Sequence, residues 1–173
     1  MTRCRRRTAL LTATLLSIFV LCGAANAADE IAVIVARDTP DFKLNAALLR
    51  DIYLKKIFLD EREREFIPLN LPADHALRRA FSLALFNKDA QELQNYWNQR
   101  YFHGIIPPYV LGSPQAVVQF VAKTPGAIGY VTPCDLDSRV KEVLSLTVPP
   151  SEQGALAKLC SSSSPADQRS GHR

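Results

Sequence analysis

Thr124-Pro125-Gly126-Ala127-Ile128-Gly129-Tyr130-Val131 reads as a helix stop that passes at once into a strand. Pro125 cannot continue a helix, and Gly126 can take the positive φ of a chain reversal. Ala127 to Val131 is a short apolar run with the look of a buried strand. Gly129 within it lets another backbone or side chain approach closely. A helix leading straight into a buried strand is a building block of layered α/β structure.

Upstream, Ser113-Pro114 is an N-cap followed by proline at the first helical position. Val117, Val118, Phe120 and Val121 pack that helix inward. Asp89 with Glu92 opens another helix in the manner of a capping box. That helix is expected to bury Leu93, Tyr96, Trp97 and Tyr101, and Gly104 with Pro107-Pro108 ends it. Asp74 is read as the cap of a helix striped by Leu77, Ala80, Phe81, Ala84 and Leu85. Phe66 to Leu69 is a short strand cut off by Pro72, and the charge run Asp60 to Glu65 is a solvated turn. Asn45 caps a helix running to about Ile57, with Leu48, Leu49, Ile52, Tyr53 and Ile57 on one face.

Ile31 to Val35 is a continuous β-branched run, a buried strand, and Val140 to Leu146 is a further strand. The alternation predicts a single α/β domain over residues 28–147, with a small mixed or parallel sheet flanked by helices. Leu77, Phe81, Leu93, Trp97, Val117, Val121 and Ile128 are expected to form one core. Residues 148–173, with Pro149-Pro150 and Ser161 to Ser164, read as a flexible tail.

Residues 1–27 have the layout of a cleavable signal peptide. Arg3, Arg5, Arg6 and Arg7 precede an uncharged apolar stretch, Thr8 to Leu21, and Ala25-Asn26-Ala27 is a small-x-small cleavage site. The apolar stretch, about 14 residues, is short for a bilayer core of about 30 Å. Cys22 follows Leu21, which is not the small residue that lipidation wants. The expectation is a periplasmic protein with no membrane insertion after cleavage. The four signal arginines account for the whole excess of 21 Lys+Arg over 17 Asp+Glu, so the mature charge is balanced and gives no support to nucleic-acid binding. Cys134 and Cys160 remain, either bridged, as an oxidising compartment permits, or as two free thiols.

Three stretches carry a family resemblance. Leu49-Arg50-Asp51-Ile52-Tyr53-Leu54 resembles a helix of the periplasmic phosphate-binding proteins. Tyr96-Trp97 with Tyr101-Phe102-His103-Gly104 resembles a stretch of a short family related to them, and TPGAIGYV matches a junction found in both. The chain therefore resembles the substrate-binding proteins of phosphate ABC transporters, in a single-lobe version. The resemblance implies a periplasmic-binding-protein lobe, a non-catalytic role and phosphate or another small solute as ligand. The expected protein partner is a transporter permease, a sensor or another envelope protein.

In that family an arginine and a Ser-Gly-Thr run hold the anion at a helix N-terminus. Aligned on Phe81, those positions carry Leu71 and His75-Ala76-Leu77 here. The candidate ligand-binding residues are Asp74, His75, Ala76, Leu77, Arg78 and Ser113. The Asp74 carboxylate is expected to accept from the amides of residues 76 and 77 and to pair with Arg78, so phosphate is expected to bind weakly or not at all. The alternative function is a ligand-free protein–protein accessory or sensor module of the cell envelope.

Enzyme chemistry has no motif to stand on: there is no Gly-x-Ser-x-Gly elbow and no Gly-rich phosphate loop. His75, His103 and His172 are scattered, so neither a metal nor another cofactor is expected. Tyr96, Trp97, Tyr101, Phe102 and Tyr109 either line a pocket or belong to the core.

Overall fold

The computed structural model describes residues 29–162. The β-branched run near its start forms β1 (Glu30–Ala36), whose last six residues are all buried. β2 (Ile67–Asn70), β3 (Tyr109–Val110), β4 (Ala127–Val131) and β5 (Val140–Thr147) complete one sheet in the order β3-β2-β4-β1-β5. β2 runs parallel to β3 and β4, while β1 is antiparallel to β4 and β5. The sheet is mixed, and the protein is a single α/β domain with helices on both of its faces.

The helices are α1 (Ala46–Tyr53), α2 (Ala76–Phe86), α3 (Ala90–Tyr101), α4 (Pro114–Lys123) and α5 (Pro150–Ser162), with a short 3-10 helix at Pro133–Asp135. Three caps form where the sequence places them. Asn45 accepts from Leu48 N, Asp89 and Glu92 make the reciprocal capping box, and Ser113 accepts from Ala116 N. α1 stops at Tyr53 and does not reach Ile57. Leu54 is its cap, and Lys55 takes a φ of 52°, which turns the chain away. The charge run beyond is a tight turn held by Asp60, whose carboxylate accepts from Arg62 N, Arg64 N and the Arg64 guanidinium.

Successive residues of a strand face opposite sides, and β4 uses this to serve both layers. A Cβ on Gly129 would meet Val117 and Val121 of α4 at 2.4 and 3.1 Å. Next to it Tyr130 turns to the other face, against Phe81 of α2 and Tyr53 of α1. Tyr53 donates from its hydroxyl to Leu69 O and Ile128 O, tying α1 to β2 and β4. Of the expected core, Leu77, Phe81, Val117, Val121 and Ile128 join the main cluster. Leu93 and Trp97 are buried but stand outside it, under α3.

The C-terminal segment departs from the expected tail. Residues 150–162 are helical, and the Leu156 side chain is fully buried. A segment poor in apolar residues is held here by Leu156 in the core, by Leu159 packed against it and by a covalent tie. Cys134, just after β4, is bonded to Cys160 of α5, with Cα atoms 5.4 Å apart. Glu152 adds an ion pair to Arg79, N to O 3.8 Å. Residues 1–27, read as a signal, and residues 163–173 of the expected tail lie outside the described residues.

The bridge closes a loop of 26 residues, which restricts the unfolded chain by about 3 kcal/mol in the chain-entropy account. Cys160→Ser is expected to lower stability by about 2–4 kcal/mol. Urea unfolding of the oxidised protein and the variant measures it, and a difference under about 0.5 kcal/mol would show that the bridge does not stabilise the domain.

Candidate functional site

β2 and β3 lie side by side and parallel, with Asn70 opposite Val110. Each leads from its C-terminal end into a helix, α2 after β2 and α4 after β3. The N-termini of α2 and α4 therefore open on the same edge of the sheet, where open α/β sheets place ligands. β4, parallel to β2, ends at that edge too and continues into the 3-10 turn with Asp135. The fold thus brings the His75 end of α2, Ser113 and Asp135 to one rim.

The chemistry of that rim differs from the expected one. The cap of α2 is His75, not Asp74: its Nδ1 accepts from Leu77 N at 3.2 Å. An imidazole that accepts at Nδ1 is unprotonated there. Burial holds the His75 pKa below its ordinary value, against the opposing pull of the Asp74 and Asp135 carboxylates. Asp74 is exposed. Its backbone oxygen accepts from Arg79 Nη1 at 2.7 Å. The expected Asp74–Arg78 pair does not form, because helical spacing carries the Arg78 guanidinium inward while Arg79 reaches back to residue 74. Ser113 spends its hydroxyl on the Ala116 amide, 3.2 Å, as the cap of α4.

Asp135 is the residue that sequence reading missed at this rim. Its carboxylate accepts from Thr132 Oγ1 at 2.7 Å and from Gln115 Nε2 at 3.1 Å. Pro133-Cys134-Asp135 gives no motif, and only the parallel placement of β4 beside β2 carries Asp135 to the helix start. Two carboxylates near one helix N-terminus make the rim unfriendly to a second anion.

Leu71 follows β2 directly. It is 1% exposed, and its amide donates to Tyr130 Oη at 3.2 Å. Tyr130 in turn donates to Asn70 Oδ1 at 3.3 Å. Burial pushes the Tyr130 phenol up to about 12, the Arg78 charge opposing, so this buried polar cluster stays neutral at physiological pH. Of the aromatic group, only Trp97 is buried. Tyr96 is half-buried and donates to Leu54 O at 2.8 Å. Tyr101, Phe102 and Tyr109 are exposed.

A separate hollow of about 260 Å³ opens at the opposite edge, beside the Thr124–Gly126 turn. Its Asp60 and Arg64 are already paired with one another. Among the described residues, no group of His, Cys, Asp and Glu could hold a metal ion, and no helix is long and apolar enough to cross a membrane.

The fold of this single α/β domain, with its mixed five-stranded sheet, has counterparts among solved structures. Among solved structures it is similar to an ABC-type phosphate transport receptor from Vibrio cholerae. The TM-score is 0.55 at 14% identity, over 75% of this chain and 63% of that one. It is also similar to a phosphate ABC transporter substrate-binding protein from Clostridium perfringens, solved with bound phosphate. There the TM-score is 0.55 at 17% identity, over 78% of this chain and 61% of the other. The chain thus spans about three fifths of the length of these structures. At such identities the likeness is one of fold. No protein-family model matches the chain, and no curated protein does.

Proposed function

We propose that the chain is an exported, non-catalytic solute-binding-like protein of the periplasm in which the helix-terminus phosphate site is closed. The observation that carries this reading is the His75 cap on α2, with Asp135 and Asp74 as its charged neighbours. Leu71 in place of an arginine, and His75-Ala76-Leu77 in place of Ser-Gly-Thr, remove the charge-assisted partners of a phosphate. Each such bond contributes about 1.5–3 kcal/mol, and a micromolar site has only about −8 kcal/mol to lose. Calorimetry with inorganic phosphate at neutral pH is expected to give a Kd in the millimolar range or no heat at all. A micromolar Kd would overturn the reading and restore a phosphate carrier.

Export is the other half of the proposal. The mature chain is expected to begin at or near Ala28, as the Arg-rich start and Ala25-Asn26-Ala27 indicate. N-terminal sequencing of protein from the periplasmic fraction tests this, and an intact Met1 there would refute it.

One observation favours a second reading, a ligand-free accessory or sensor module acting through protein contacts. Tyr101, Phe102, Ile106, Tyr109 and Val110 are all more than half exposed between the end of α3 and the edge strand β3. Exposed aromatic residues close together are a common mark of a protein interface. Transporter permease, sensor and other envelope components are the partner classes this reading allows.

A further inference from the structure

We propose that the groove between α2 and α3 binds a small organic anion, its charged end held by Arg78 and its apolar body laid against Trp97. The site is distinct from the N-terminus of α2 and does not depend on whether phosphate binds there.

Arg78 is half-buried on α2. Its Nη1 is buried and has no hydrogen-bond partner. A guanidinium stays charged at every physiological pH, so it cannot escape burial by losing a proton. The residue as a whole is only half-buried, but a buried polar nitrogen left without a partner is costly, and native proteins rarely leave one so. The nearby core offers no anion. The Tyr53 hydroxyl is committed to Leu69 O and Ile128 O, and the Tyr130 hydroxyl to Asn70. Burial raises both phenol pKa values and keeps both groups neutral.

The acids of the groove are taken as well. Asp89 caps α3 and accepts from Glu92 N, and Glu152 pairs with Arg79. Arg78 is left as the cation of the groove that no carboxylate neutralises among the described residues.

The shape fits a ligand. The groove encloses about 500 Å³, within the usual range of about 300–1,000 Å³ for small-molecule sites. Leu83, Leu93 and Trp97 give it apolar wall, and Ser82 adds a hydroxyl. Arg78 lines this groove and also a smaller gap beside Asn70 and Tyr53. An organic carboxylate or phosphate ester would pair with the guanidinium charge and place its carbon skeleton on the indole. An inorganic ion would leave the apolar wall uncovered.

Trp97 is the chain's single tryptophan, so its emission reports directly on the groove. The mature protein is titrated with benzoate, hexanoate, phenyl phosphate, benzyl alcohol and inorganic phosphate. A saturable change in emission is expected with at least one organic anion. Binding at least tenfold weaker is expected for benzyl alcohol, which lacks the charge, and for inorganic phosphate, which lacks the apolar body. Arg78→Met is expected to weaken the organic anion at least tenfold, whereas His75→Ala leaves the titration unchanged, which separates this site from the rim. If Arg78→Met does not fold, the comparison of benzoate with benzyl alcohol on the unaltered protein still decides whether charge is recognised. The proposal fails if no organic anion gives a saturable change, if benzyl alcohol binds as tightly as benzoate, or if Arg78→Met binds the anion undiminished.

Discussion

Gly126→Ala is expected to destabilise the domain by more than about 3 kcal/mol, because two independent penalties fall on one methyl group. Gly126 has a φ of 81°, a conformation that a side chain makes costly. A Cβ there would also stand 2.1 Å from Glu65 O and 3.3 Å from Glu65 C. Both obstacles are backbone, so no rotamer change relieves them. The backbone must move, and Gly126 O is the acceptor for Ile67 N at 2.9 Å, where the pairing of β2 with β4 begins. Moving the turn therefore strains the register of two buried strands. Gly112→Ala is the control, since nothing lies within 4 Å of its Cβ and its φ is not positive. It is expected to change stability by less than about 0.5 kcal/mol. Urea unfolding of both variants measures the contrast, and a Gly126→Ala loss under about 1 kcal/mol would contradict it.

Phe81→Ala is expected to cost about 3–5 kcal/mol. Phe81 is fully buried and stacks on Tyr130, ring centroids 3.8 Å apart and planes 4° from parallel. Tyr53 approaches its ring at 4.8 Å and Phe86 meets it edge-on at 6.2 Å. Deleting the ring leaves a cavity walled by two tyrosines whose hydroxyls are pinned to strand carbonyls and to Asn70, so the walls cannot collapse inward. Domains of this size are stable by only about 5–15 kcal/mol, so the variant sits near the unfolding threshold. Equilibrium denaturation checks the figure, with near-ultraviolet circular dichroism reporting on the tyrosines. A loss below about 1 kcal/mol would remove Phe81 from the core.

What the sequence discloses is what local rules decide. The apolar runs of β1, β4 and β5, and the caps Asn45, Asp89 and Ser113, depend on residues within a few positions of one another. β3 is hidden because Tyr109-Val110 is two residues long and has no pattern of its own. Its strand geometry comes from β2 beside it. α5 is hidden because its order depends on Cys134 and on a core surface for Leu156, both far from it in sequence. At the rim the failure is one of side-chain direction. Asp74 and His75 can each cap a helix by type, and the choice between them is made by the turn in which His75 N bonds to Pro72 O. Asp135 and the buried end of Arg78 come from tertiary placement, which no short window records.

The pairing of β1 has a consequence for the order in which the molecule can be built. β1 lies between β4 and β5, and its partners lie roughly a hundred residues further along: Ala32 pairs with Val131, and Ile31 with Leu146. A chain emerging N-terminus first therefore presents Ile31 to Val35 with no strand to receive it until most of the domain has been synthesised. Closing so long a loop is entropically slow, and no early folding unit can trap the N-terminal part in finished form. The topology assigns completion of the sheet to the arrival of its last strand.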